Sequence, residues 1–138
     1  MDERLCPSEE ETRTFGREFA PRLRRGDVVL LFGELGSGKT VFVRGLAEGL
    51  GLDPSEVSSP TFALVHEYGP AGRPPVLVHA DLYRLPDGSG LGDLGLSERG
   101  GAILAVEWPR TPLREMRAYR VTIEEVAAGA RKIRIEAP

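Results

Sequence analysis

The sequence predicts an α/β fold: one sandwich-like domain over residues 1–138 with a mixed central sheet. Three observations carry this. An unbroken apolar run, Val28 to Phe32, leads through a glycine-rich loop into an amphipathic helix, a βα unit at the front of the chain. More strand-like than helix-like segments follow it. Two pairs of those strands are separated by turn residues and supply the antiparallel part of the sheet.

Each element has its own reason. In "PSEEETRTFGREFAPRLRRGD", Ser8 is a good N-cap with Glu11 three residues on, and Phe15, Phe19 and Leu23 form one buried stripe. Gly26-Asp27 is expected to end that helix. "VVLLF" reads as a strand buried on both faces. "KTVFVRGLAEGLGL" places Val41, Phe42, Leu46 and Leu50 at helical spacing, with Gly51 closing the helix. "SSPTFALVHEY" alternates as a strand, and Pro60 biases Ser59 toward an extended conformation. "GPAGRPP" is a turn, after which "VLVHADLYRL" pairs back as a hairpin. "PDGSG" punctuates before a short helix around Leu91 to Leu96. "AILAV", Ala102 to Val106, is another apolar strand, and "YRVTIEEV" and "RKIRIEA" close the chain around Gly129.

Bulk properties narrow the function. No apolar run approaches the ~18 residues that span a bilayer, and "MDERLCPSEEE" lacks the apolar core of a secretory signal. Cys6 is the only cysteine, so no internal disulfide forms. A cytoplasmic protein without membrane association is expected. The net charge of −3 argues against a domain that coats nucleic acid. The basic residues gathered late in the chain, among them Arg110, Arg114, Arg117, Arg120, Arg131, Lys132 and Arg134, read as a solvated mixed face or as a docking surface for a partner or RNA. Only Lys39 and Lys132 among the 18 basic residues are lysine, so a lysine inside the loop is not generic usage.

The loop "GELGSGKT" matches G-x-x-x-x-G-K-[ST] at Gly33, Gly38, Lys39 and Thr40, with the strand before and helix after that the motif requires. Gly33, Gly36 and Gly38 let the backbone turn tightly, so N–H groups from Gly33, Glu34, Leu35, Gly36, Ser37, Gly38, Lys39, Thr40 and Val41 wrap one anion at a helix N-terminus. Lys39 reaches the β- and γ-phosphates, and the Thr40 hydroxyl can ligate Mg²⁺. The fold expected is therefore a P-loop NTPase-like three-layer sandwich. A carboxylate at the end of a neighbouring buried strand would share the metal. Glu107, ending "ILAVE" after a uniformly apolar run, is the preferred one; Asp81, ending "VLVHAD", is the alternative, otherwise orienting a water. Thr61, in the "SSPTF" loop, is a switch hydroxyl or a plain turn residue. Trp108 stacks on the base or anchors the core edge. His66 and His79 lack ligand-spaced partners and read as structural.

With these residues assembled, the chain resembles the TsaE family, the small ATPases of bacterial tRNA threonylcarbamoyladenosine synthesis. "GDVVLLFGELGSGKTVFVRGLAEGLG", "VSSPTFALVHEY", "HADLYRL", "LGLSE" and "VEWP" occur in that family's order, from about Glu9 to Ile135. The resemblance implies ATP and ADP with Mg²⁺ as ligands and the TsaD and TsaB proteins as partners. It implies a supporting role in threonylcarbamoyl transfer to adenosine 37 of tRNA, which is met only through that complex. It also implies that Thr40 and Glu107 handle the metal, that Asp81 and Thr61 support hydrolysis, that Trp108 lies near the base, and that the segment from Glu9 approaches the nucleotide. Arg110 stands where many relatives carry Glu, so no role of that acid transfers. A small-molecule kinase and a nucleotide-gated adaptor are the rival readings; no N-K-x-D motif supports a GTPase.

Overall fold

The computed structural model describes residues 2–34, 36–57, 65–83, 101–109 and 117–138; the readings made for Leu35, Thr61, Arg110 and the helix at 91–96 fall outside them. The elements are β1 (Asp2–Cys6), α1 (Glu9–Phe19), β2 (Val28–Phe32), α2 (Lys39–Gly49), β3 (Val65–Tyr68), β4 (Leu77–Asp81), β5 (Ile103–Glu107), β6 (Tyr119–Ala127) and β7 (Ala130–Glu136). They form one seven-stranded sheet in the order β1-β7-β6-β2-β5-β4-β3. Strands β6, β2, β5 and β4 run parallel, while β3, β7 and β1 are antiparallel to their neighbours.

This order follows from hydrophobic patterning. β4 and β5 are buried at every residue, and the middle of β2 is too, as parallel strands covered on both faces must be. β7 alternates buried and less buried residues, as an antiparallel strand near an edge does. The mixed sheet matches expectation, with the β3–β4 hairpin and the β6–β7 pair as its antiparallel parts. α1 and α2 pack on one face, where Phe15, Phe19, Phe42 and Leu46 meet Val29, Leu31, Ala105 and Val121. The opposite face has its own buried cluster around Leu30, Val78, Leu104 and Val106. The two helices approach closely because α1 presents Gly16 and α2 presents Gly45 and Gly49. A Cβ on Gly45 would overlap the Arg13 carbonyl, and one on Gly49 would lie 2.6 Å from the Arg17 carbonyl oxygen.

Two expectations are corrected, and one element was not anticipated. α1 ends at Phe19, followed by a 3-10 turn over Ala20–Arg22, because Pro21 supplies no N–H to continue the ladder. Leu23 still reaches the core, but from extended backbone. The N-terminal residues form edge strand β1, paired with β7; only Cys6 of its five residues is buried, so no alternation marked it. Strand β5 runs one residue further than expected and includes Glu107 itself. Among the described residues, no helix is long and apolar enough to cross a membrane.

Candidate functional site

The loop between β2 and α2 turns on its glycines. Gly33 has φ 156, and a Cβ there would come within 2.5 Å of Ser37 Oγ and 2.6 Å of the Ile123 carbonyl oxygen. Gly36 and Gly38 have φ 77 and 108, conformations that L side chains resist. Gly38 is the N-cap of α2 and brings no side chain to its first turn. The N–H groups that open a helix lack intrahelical partners and are left for an anion. Ser37 N–H closes the turn on the Glu34 carbonyl oxygen at 3.0 Å.

Lys39 is 5% exposed and folds back under this loop. Its ammonium donates to the carbonyl oxygens of Gly33 and, at 3.2 Å, Glu34, and lies 4.1 Å from the centroid of the Trp108 ring. Burial pushes its pKa below the ordinary 10.5, while Glu107, Asp81 and Glu34 pull the other way. The sheet supplies those carboxylates. β5 lies beside β2 with Glu107 opposite Leu31, and β4 lies beside β5 with Asp81 opposite Glu107. Both acids stand where adjacent parallel strands end at the loop. Asp81 accepts from the Tyr83 N–H at 2.8 Å, and Glu107 is hydrogen-bonded by His79 Nε2. Next in the chain, Trp108 is the only non-glycine residue with positive φ (55) among those described, a strained conformation for a bulky side chain. Its indole lies against Tyr83, ring centroids 4.9 Å apart, and over the Lys39 ammonium.

A cavity of about 230 Å³ collects Glu9, Gly36, Ser37, Gly38, Lys39, Thr40, Val41, Asp81, Glu107 and Trp108. Of the sequence-selected residues, Gly33 and Glu34 instead line a second hollow of about 460 Å³ on the β6 side of the loop, with Glu124 and Glu125. That hollow is acidic and holds no cation among the described residues that line it, so it suits a polyanion poorly. Beside the first cavity, and sharing Glu9 and Val41 with it, is a recess of about 450 Å³ lined also by Glu10, Arg13 and Arg44. Leu35 and Thr61 lie outside the described residues.

Arg131 also lines the first cavity, and sequence reasoning missed it, placing it on a solvated mixed face or a docking surface. It is 8% exposed. Its Nε donates to the Ser37 carbonyl oxygen and its Nη2 to that of Gly36 at 3.2 Å, while Nη1 pairs with Glu125 at 2.9 Å. The one available signal was the buried-alternation register of β7, which puts residue 131 inward with Ile133 and Ile135. His79 is the second omission; its partner Glu107 is 28 residues away in sequence.

The oxygens gathered here suit a hard cation that arrives already bound to phosphates. Among the described residues no group of three or more Asp, Glu, His or Cys could chelate a metal alone. A magnesium ion commonly takes one or two carboxylates and completes its shell from phosphate and water. Glu107, Asp81 and the Thr40 hydroxyl fit that requirement.

Comparison with known proteins gives a consistent result. The family model for "Threonylcarbamoyl adenosine biosynthesis protein TsaE" matches residues 6–133. The tRNA threonylcarbamoyladenosine biosynthesis protein TsaE of Streptomyces coelicolor is 42% identical over 113 residues, 80% of this chain and 76% of that one. Its counterpart from Treponema pallidum is 39% identical over 132 residues, 93% of this chain and 95% of that one. The crystal structure of Bacillus subtilis YdiB superposes with a TM-score of 0.72 at 31% identity, covering 99% of this chain and 84% of that one.

Proposed function

The chain belongs to the TsaE family of threonylcarbamoyl adenosine biosynthesis proteins, and from that membership we propose that it is a Mg²⁺-dependent ATPase of tRNA modification. In this reading it acts in the cytoplasm with TsaD and TsaB, supporting their transfer of threonylcarbamoyl to adenosine 37 without performing the transfer. The single observation that carries it is the convergence of glycine-freed loop amides, a buried ammonium and two strand-end carboxylates on one cavity.

The triphosphate lies along the loop, where the first-turn N–H groups of α2 and Lys39 neutralise its oxygens. Thr40 and Glu107 would hold the metal, which would supply charge neutralisation at the phosphates. Asp81, beside Glu107, orients the attacking water; the water oxygen bonds to the γ-phosphorus as the bond to the bridging oxygen breaks, giving ADP and phosphate. The base and ribose extend past Val41 and Glu9 into the adjoining recess. Trp108, packed on the Lys39 ammonium, then belongs to the phosphate end and reports on phosphate occupancy rather than stacking on the base.

Calorimetry with Mg-ATP and Mg-ADP, paired with phosphate release with and without TsaD–TsaB, tests this. The wild type is expected to bind both nucleotides and to hydrolyse ATP slowly alone and faster with partners, and Lys39→Ala to bind neither. No heat for the wild type at millimolar nucleotide would overturn the reading. Binding without any turnover, partners present, would leave a nucleotide-gated adaptor in its place.

A further inference from the structure

His79 is completely buried on β4, although its neighbours Leu77, Val78 and Ala80 are apolar and a leucine or valine would fill the position. Its Nε2 is hydrogen-bonded to Glu107 Oε2, and its Nδ1 has no partner among the described residues. A buried ring nitrogen left unpaired is a cost that no packing role requires. The sheet register explains the contact. His79 is opposite Ala105 on the parallel strand β5, two residues before Glu107. Side chains at 105 and 107 share a face, so the imidazole reaches diagonally over the small methyl of Ala105 to the carboxylate beyond it. Among the described residues the Glu107 carboxylate has no other side-chain hydrogen bond, its backbone carbonyl oxygen accepting from the Leu82 N–H at 3.0 Å, and the Lys39 ammonium acts on it through charge.

We propose that His79 is a positioning residue for the metal: by holding Oε2 of Glu107 it fixes the carboxylate's rotamer and presents the remaining oxygen to the cavity. This rests on the nucleotide-and-metal reading above. Carboxylates that ligate metals are commonly held by such a hydrogen bond, and its loss typically costs about 10–100-fold in metal affinity. The other histidine, His66 on β3, is hydrogen-bonded through Nδ1 to the Tyr68 hydroxyl at 3.0 Å.

The test is Mn²⁺ binding to the protein–ADP complex, followed by electron paramagnetic resonance, in the wild type, His79→Leu and His79→Gln. ADP affinity in chelator and the thermal midpoint are measured alongside. His79→Leu keeps the volume and loses the donor; it is expected to weaken Mn²⁺ by about tenfold or more, with chelator-phase ADP affinity unchanged and the thermal midpoint lowered only modestly by the unpaired carboxylate. His79→Gln carries an N–H at similar reach and is expected to recover most of the affinity. If His79→Leu takes up Mn²⁺ as the wild type does, His79 is a core residue only. If both variants lose Mn²⁺, metal-free ADP binding and thermal midpoint together, its role is structural and the proposal is overturned. If the wild type binds ADP but takes up no Mn²⁺, the metal reading of Glu107 falls first and this inference with it.

Discussion

Arg131 holds two consecutive peptide planes of the loop, because Nε and Nη2 take the carbonyl oxygens of Ser37 and Gly36. A peptide fixed by its carbonyl has its N–H fixed on the opposite side, so the guanidinium orients the Ser37 and Gly38 amides. It also balances the negative ends of those dipoles from behind. Hydrogen bonds to a charged donor contribute about 1.5–3 kcal/mol each, and the guanidinium is planar and rigid enough to make both at once. Arg131→Ala is therefore expected to lower Mg-ADP affinity by roughly tenfold or more, a difference of about 1.4 kcal/mol per decade. Arg131→Lys should recover little, since an ammonium cannot span both carbonyls in the same geometry. Glu125→Gln removes only a half-exposed ion-pair partner and should change affinity by no more than about 1 kcal/mol. Calorimetric titration of the three variants checks this; equal affinities throughout would make the guanidinium a bystander.

At the level of elements, the helix pair decides where the first residue of α1 meets the cavity. Glu9 lines the cavity because α1 runs across α2 at near-backbone contact, and Gly16, Gly45 and Gly49 make that approach possible. Gly45→Ala places a methyl against the Arg13 carbonyl, which is backbone and cannot rotate away. Overpacking of this kind costs about 1–3 kcal/mol, outweighing the ~1 kcal/mol by which alanine favours a helix interior. Thermal unfolding should show a midpoint lower by up to roughly 10 °C, and nucleotide affinity should fall with it as α1 is displaced. A midpoint at or above wild type would mean that the helices separate at little cost. The existence of both helices was legible from the apolar stripes of Phe15 and Phe19 and of Phe42 and Leu46. The closeness of their packing was not, since three glycines in separate turns carry no pattern until the crossing is known. The early end of α1 could have been read from Pro21, whose missing N–H competes with a stripe that continues through Leu23.

For the whole molecule, the sheet joins the two ends of the chain to the loop. Apolar runs of strand length revealed β2, β4 and β5, and with them the strand ends that carry Glu107 and Asp81. The charged strand β1 was hidden because four of its five side chains face solvent, and only pairing with β7 makes it a strand. Arg131 was hidden for a different reason: its carbonyl partners are 94 and 95 residues away. Cys6 marks the junction: it is fully buried and pairs in register with Arg131. Burial, reinforced by Glu11 and Glu18, pushes the thiol above its ordinary 9.0, although Arg4 and Thr12 oppose the shift. The sign follows from linkage. Below pH 9.0 the thiol is protonated in both states and contributes fully to stability; as pH rises past 9.0 the unfolded chain ionises first, and stability falls toward the higher folded value. Denaturant midpoints of the wild type and Cys6→Ala should therefore differ more near pH ~8 than near pH ~10, the comparison cancelling other titrations. A thiol reagent at neutral pH should label the folded wild type slowly, limited by detachment of β1 from β7. Mg-ADP, by tightening the loop against Arg131 in the adjoining strand, should slow that labelling further. Labelling unaffected by nucleotide would show that the edge strand opens independently of the site, and that Arg131 anchors the loop without carrying its state to the rest of the sheet.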